Sequence, residues 1–360
     1  YYTQGAYYLC SVADSVFLNP QGSVSLVGLA SQGLFFTGLA EKIGVEHYIF
    51  KVGTYKSAVE PFFLKKFSDA NREQLTSFLG SVWGNLTTAI EKSRNISSDE
   101  LDRYLNEGLA MGQAFNAVDY KLADGLRYRY EVENCVKEMA GQDVKGKLKT
   151  AGVDKVASIK VKEKDSGNKI AVLYAEGEIR DDDSSSPFSA DEQVISEEMA
   201  NKLRKLKDDD DVKAVVFRVN SPGGSAYISE QIWKEVVELK AKKPIVVSMG
   251  NYAASGGYYI SCAANKIVAE RTTLTGSIGV FGVVRNFTGT FDKVGVTTDI
   301  VKTNTFADLG DISRPMREDE KALIQRGVEQ TYDLFLTRCA DGRGMTKAEI
   351  DSIGQGRVWT

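Results

Sequence analysis

The second half of the chain alternates between two hydrophobic rhythms. Residues 169–175 (KIAVLYA) form a short run rich in strand-favouring residues, and 212–219 (VKAVVFRV) is nearly continuous apolar sequence, which predicts a buried strand. Between them, 191–207 carries Val194, Ile195, Met199, Leu203 and Leu206 on one helical face, and four aspartates at 208–211 turn the chain. Residues 220–225 (NSPGGS) read as a loop, because proline and paired glycines stop regular structure. The helical rhythm returns over 226–241, with Ile228, Ile232, Val236 and Leu239 in register, and 244–249 (PIVVSM) is the next strand. Strands alternating with helices predict an α/β fold.

The pattern also repeats. Sliding the sequence on itself by 251 residues lays residues 1–56 on 252–307 without a gap, and 15 of those 56 positions are identical. Gly5 falls on Gly256, Tyr7-Tyr8 on Tyr258-Tyr259, Phe36-Thr37-Gly38 on Phe287-Thr288-Gly289, and Lys42 on Lys293. Two copies of one unit follow from this self-similarity. Residues 1–140 hold the second half of a first copy, 169–360 hold a more complete second copy, and 141–168 reads as a linker, rich in Lys, Gly and Asp without apolar periodicity. The first copy has no counterpart of residues 170–251. Half a domain alone would expose its core, and the chain opens at Tyr1 in the middle of an apolar pattern, so it reads as a fragment of a longer product.

Composition narrows the chemistry. With 360 residues there is room for two domains, and a net charge of −4 from 45 basic and 49 acidic residues leaves no nucleic-acid footprint. Cys10, Cys135, Cys262 and Cys339 make no CxxC pair, so they read as buried small apolar side chains rather than zinc ligands or a disulfide framework. No run approaches the ~18 apolar residues of a membrane span. His47 is the single histidine, aligns with Thr298 in the repeat and has no nucleophile motif beside it, which excludes a serine–histidine triad and makes it a structural or surface residue. No GxxxxGK[ST] occurs, and no GxGxxG opens a helix after a strand. The aspartate runs at 181–183 and 208–211 read as solvated loops.

Two loops remain as carriers of chemistry. Asn220-Ser-Pro-Gly-Gly-Ser225 follows a buried strand, and its glycines let backbone N–H groups approach a ligand, as an oxyanion hole requires; a plain strand-to-helix turn is the simpler reading. Ala253-Ala-Ser-Gly-Gly-Tyr258 also follows a strand, and its small residues leave the Ser255 hydroxyl uncrowded, although a serine at a helix start commonly serves as an N-cap. The repeat weighs on this choice. Ser255 aligns with Gln4, and Lys56, in Gly53-Thr-Tyr-Lys-Ser-Ala58, aligns with Ala307. Each copy keeps one half of a serine–lysine pair and lacks the other, as expected if one composite site forms between them.

GTYKSAVEPF at 53–62, NSPGG at 220–224, YAASGGYYIS at 252–261 and LTGSIGV at 274–280 together resemble the signal peptide peptidase A family in its long, tandem-domain form. That resemblance implies two Clp-protease/crotonase-like domains of spiralling ββα units, the first incomplete here. It implies a serine peptidase with Ser255 as nucleophile, Lys56 as general base, Ser277 as a hydrogen-bond partner of the lysine, and Gly224 and Gly256 at the oxyanion hole. It further implies no cofactor, remnant signal peptides as substrates, a ring-like homo-oligomer such as a tetramer, and a place at the bacterial cell membrane facing the periplasm or outside, through an anchor absent from this chain. For Lys56 to act as base, burial must lower its pKa toward ~7–8; Tyr55, Ala58, Val59, Phe62 and Phe63 are the apolar neighbours expected to do so. An acyl-CoA enzyme on the same fold and a non-catalytic membrane scaffold are the competing classes. The 181–190 loop is expected to border the peptide groove, and the specificity pocket to favour small or apolar side chains.

Overall fold

A computed structural model describes residues 1–159, 167–180 and 193–360. The described chain divides into two compact units, one of Tyr1–Ala30 with Leu79–Ser166 and one of Ser31–Phe78 with Gly167–Thr360.

The larger unit is built on a parallel sheet. Strands Lys169–Glu176, Val212–Ser221 and Ile245–Ala254 lie side by side in that order, and Leu274–Gly276 and Lys266–Val268 both pair with Ile245–Ala254. The short strand Val358–Trp359 closes the edge, antiparallel to Leu274–Gly276. Helices Glu198–Asp208 and Ala226–Lys242 bring Met199, Leu203, Ile228, Ile232, Val236 and Leu239 onto one core with Val215, Phe217, Val219, Ile245 and Val247. Along the central strands buried residues alternate with half-buried ones, so the helices cover one face of the sheet, while Ile170, Val172 and Tyr174 of the neighbouring strand stay exposed on the other. The long helix Glu318–Arg343 adds Tyr332, Phe335, Leu336 and Cys339 to the same core.

Strand ends differ from the sequence expectation in instructive ways. The helix expected over 191–207 begins only at Glu198, because Val194–Ile195 pairs as a strand with Glu178–Ile179. Strand Val212–Ser221 runs two residues into the expected loop, and Ile245–Ala254 runs up to the residue before Ser255. The loop at 181–190 lies outside the described residues.

A second, two-stranded ribbon carries residues of both repeats. Glu46–Val52 pairs antiparallel with Val280–Asn286 over seven residue pairs, from Val280 opposite Val52 to Asn286 opposite Glu46. Phe50, Met316 and Val328 are buried beneath it. His47 sits in this ribbon against Phe62, with ring centroids 5.1 Å apart.

The smaller unit has its own core of Tyr7, Leu18, Val24, Leu26, Ile90, Leu101, Tyr104 and Leu122. Its two buried phenols are satisfied by main chain, Tyr7 donating to the Leu122 carbonyl at 2.7 Å and Tyr104 to that of Val24 at 3.0 Å. Tyr8, Leu9, Val12 and Val27 are exposed, whereas their repeat equivalents Tyr259, Ile260, Ala263 and Ile278 are buried. The second copy packs these residues into the core of the sheet formed from 169–254. Residues 141–159, read as linker, contain one short helix, Val153–Ala157, with no buried residue. Cys262 and Cys339 are buried, while Cys10 and Cys135 are only half-buried, and all four are free thiols. Among the described residues no helix is long and apolar enough to cross a membrane.

Truncating the centre of the larger core tests its weight. Phe217→Ala is expected to cost about 3–5 kcal/mol, read as a lowered midpoint in chemical unfolding of the larger unit. A loss below about 1 kcal/mol would contradict the packing described.

Candidate active site

Three chain segments of the larger unit converge on one point. The first is the end of strand Ile245–Ala254. Its pairing with Val212–Ser221 slips between Met249 and Ala253, and Asn220 Oδ1 accepts the Tyr252 amide at 3.2 Å within the irregularity. The strand then stops on Ser255, whose backbone adopts φ 52° and ψ −120° before helix Gly256–Tyr259 begins. A non-glycine residue at that φ is strained, and such strain is held only where surrounding structure enforces it. The Ser255 side chain makes no capping bond to the helix, so the N-cap reading fails and the hydroxyl is left for other partners.

The second segment follows strand Leu274–Gly276. Ser277 also has positive φ, 49°, and its amide donates to the Arg357 carbonyl at 2.6 Å. The third is the turn after strand Glu46–Val52, which carries Lys56. Gly53 has φ 103°, and a Cβ there would meet the Gln355 carbonyl carbon at 2.5 Å. Gly356 has φ 75° and lies against Lys56 so closely that a Cβ would sit 2.7 Å from the lysine Cβ. Glycine is required at both positions by conformation and by contact.

These segments place the Lys56 amine 3.2 Å from Ser255 Oγ, 3.0 Å from Ser277 Oγ and 3.1 Å from the Ser277 carbonyl oxygen. Lys56 is 4% exposed, and burial pulls its pKa down from the usual lysine value to about 8. In its neutral form the amine has two N–H donors and one lone pair to share among these three oxygens. The residues around the amine are not all those expected from sequence. Phe62 packs near Phe36 and His47, and Phe63 lies under Lys51, while Ala58 lines the same cleft as Lys56. Gly279 comes close to the lysine side chain, Phe281 holds its ring centroid 5.9 Å from the amine, and Gly356 covers the main chain.

The glycine loop borders the same point. A Cβ on Gly223 would fall 2.7 Å from the Gly256 nitrogen and 2.8 Å from Ser255 Cβ, so this backbone passes directly over the serine turn. Gly224, at φ 145°, bridges to Ile179. Among the described residues neither the Gly224 nor the Gly256 amide donates to a protein acceptor, and both border a cleft of about 800 Å³ shared with Lys56, Ser255 and Ser277. Ile179, Val280, Phe281 and Phe335 supply apolar wall to this cleft. Tyr259 is part of it too, with its ring 4.7 Å from that of Phe335 and its hydroxyl donating to Glu230 at 2.6 Å.

Sequence reading missed Phe281, Gly356 and the cleft residues of helices Ala226–Lys242 and Glu318–Arg343. Gly279, Val280 and Tyr259 lay inside motifs singled out beforehand.

The whole forms an α/β layer in which a strained serine at a strand end meets a buried lysine, with no histidine near. Comparison with known proteins gives this class a family. The model of peptidase family S49 matches residues 1–143 and 237–360, in two blocks as a tandem repeat would give, and the Clp protease model matches 188–278. Protease 4 of Salmonella typhi is 39% identical over 366 residues, covering 100% of this chain and 58% of the relative. Protease 4 of Haemophilus influenzae is 38% identical, covering 99% and 59%. A chloroplastic serine protease, SPPA, of Arabidopsis thaliana is 32% identical, covering 98% and 52%. The fold is of the Clp-protease/crotonase type, and the chain belongs to peptidase family S49, spanning somewhat over half the length of these relatives.

A buried lysine with a lowered pKa has a stability signature. Between the folded and unfolded pKa values the unfolded chain binds more protons, so stability rises with pH through roughly 8 to 10.5 and the folded state is penalised below it. Lys56→Met is therefore expected to raise stability at pH 7 by up to about 3 kcal/mol, a gain that fades by pH 10. Thermal melts at the two pH values read the difference; a variant equally destabilised at both would contradict a neutralised, desolvated amine.

Proposed function

We propose that this chain carries the hydrolytic site of a serine endopeptidase in which Ser255 is the nucleophile and Lys56 the general base. One observation carries the reading: a nine-tenths-buried lysine amine within hydrogen-bond reach of a strained, uncapped serine. Neutral Lys56 takes the Ser255 proton as Oγ attacks the peptide carbonyl carbon. The Ser277 hydroxyl and carbonyl receive the N–H groups of the resulting ammonium and hold it in line. Backbone N–H groups of Gly224 and Gly256 meet the oxyanion, each worth about 2.7–4 kcal/mol in the transition state. The ammonium returns its proton to the leaving amine, and the acyl ester on Ser255 is hydrolysed by a water that Lys56 deprotonates.

The apolar cleft walls favour apolar side chains beside the scissile bond, and an extended backbone fits the exposed main chain of the glycine loop. Leftover signal peptides are apolar peptides of this kind, and the four motifs shared with signal peptide peptidase A point to them as substrates, reached through a membrane attachment elsewhere in the protein. A fluorophosphonate probe is expected to label the wild type and not Ser255→Ala. Its rate should rise with pH, half-maximal near pH 8 because the amine must be neutral, and fall at least roughly 100-fold in Lys56→Ala. Undiminished labelling of Lys56→Ala would remove the lysine from the mechanism.

The same proposal includes the two-copy division of the chain at 1–140 and 169–360, and assembly of several chains. Glu46–Val52 of the first copy pairs with Val280–Asn286 of the second. The 251-residue offset maps these strands onto 297–303 and 29–35, which form no strand here, and Val301 is 99% exposed. Pairing of 297–303 of one chain with 29–35 of the next would repeat the internal ribbon head to tail and close a ring. Light scattering is expected to give a multiple of the 39.5 kDa chain and Val301→Pro to reduce it; a wild type that stays a single chain at micromolar concentration would contradict this assembly.

A further inference from the structure

We infer that Gln74 is a positioning residue for the catalytic base: its buried amide ties the turn carrying Lys56 to the strand that holds Ser277. The inference rests on the serine–lysine reading above. Gln74 stands on helix Asp69–Arg94, is 3% exposed and does not border the substrate cleft. Its Nε2 lies 3.0 Å from the Tyr55 carbonyl and 2.8 Å from Ser57 Oγ, the two residues flanking Lys56 in sequence. Its Oε1 accepts the Val358 amide at 3.2 Å. Val358 pairs with Gly276, the residue before Ser277, so one side chain spans both sides of the Lys56–Ser277 contact.

The amide is itself held in orientation. Gln74 Nε2 is 3.1 Å from Asn71 Oδ1, and Asn71 Nδ2 donates to Glu60 Oε2 at 2.8 Å. Glu60 is 2% exposed, takes Ser68 as a further donor and has no basic side chain paired with it among the described residues. Glu60 Oε2 accepts the Asn71 NH₂ and the Ser68 amide, which leaves the Asn71 oxygen turned to Gln74. That fixes the Gln74 NH₂ toward Asn71 and the lysine turn and its oxygen toward Val358. A buried polar chain in which each group has a partner is rigid, and loss of the Gln74 amide removes this partner from the Tyr55 carbonyl in the lysine turn and from the Val358 amide.

The test is steady-state hydrolysis of one peptide across pH 6 to 10, comparing wild type, Gln74→Met, Ser57→Ala and Lys56→Ala. Gln74→Met keeps length and removes every hydrogen bond. Its kcat is expected to fall roughly 10- to 100-fold with KM within about twofold, since a displacement of the base near 1 Å costs on that order and the cleft is untouched. The acid limb of its kcat/KM profile is expected to move to higher pH, as water reaches a looser amine. Ser57→Ala should shift the same limb by less, and it keeps the inference testable if Gln74→Met does not fold. Unchanged kcat and an unmoved limb in the folded variants, beside an inactive Lys56→Ala, would overturn the role of Gln74 and leave the dyad standing. An active Lys56→Ala would overturn both.

Discussion

The structure around the site depends on keeping a lysine amine out of water without an anion to pair with it. An ammonium in that position is disfavoured relative to solvent, so the group sheds its proton near pH 8 instead of near pH 10. Much of the local architecture serves this one requirement. Gly279 and Gly356 let main chain close over the aliphatic stem, and Phe281 walls one side. Ser277 offers neutral acceptors, which hold the amine without restoring its charge. An acidic neighbour in place of Ser277 would bind the amine more tightly and spoil it as a base.

Positioning is enforced by backbone strain on the partner groups. Of the five non-glycine residues with positive φ among those described, Ser255, Ser277 and Gln355 all lie beside the lysine turn. Each is locked by main-chain hydrogen bonds to a neighbouring strand or loop, and Ser255 additionally by the glycine loop crossing over it. The two repeats divide the labour. The second supplies the serine, its turn and the sheet beneath; the first supplies the lysine turn through a ribbon that inserts beside the second copy's own strand. Under the proposed mechanism, Gln4 and Ala307 at the positions equivalent to Ser255 and Lys56 fit a site that takes its serine from one copy and its lysine from the other.

Much of this was legible in the sequence because catalysis and tight turns demand particular residues at fixed spacing. The 251-residue repeat, the glycine loop and the paired Ser255 and Lys56 all carry local signatures. Features that arise from tertiary contact were not. Phe62 and Phe63 lie near the lysine in sequence and contact Phe36, His47 and Lys51, while Gly279, Phe281 and Gly356 approach the lysine from elsewhere in the chain. The helix expected from 191 was shortened by a two-residue strand whose partner, Glu178–Ile179, no periodicity reveals. No sequence signature marks Gln74 and Asn71; only their burial beside Glu60 and the lysine turn sets them apart.

The most direct measurement is a titration of Lys56 itself, by carbon-13 NMR of protein labelled at the lysine Cε, with the Lys56 signal assigned by its absence in Lys56→Met. A signal titrating near pH 8, well apart from the bulk of lysines near ~10.4, is the result this account predicts. A Lys56 signal that stays with the bulk would mean an amine charged up to about pH 10, and the proposed mechanism would have no base in the range where it must work.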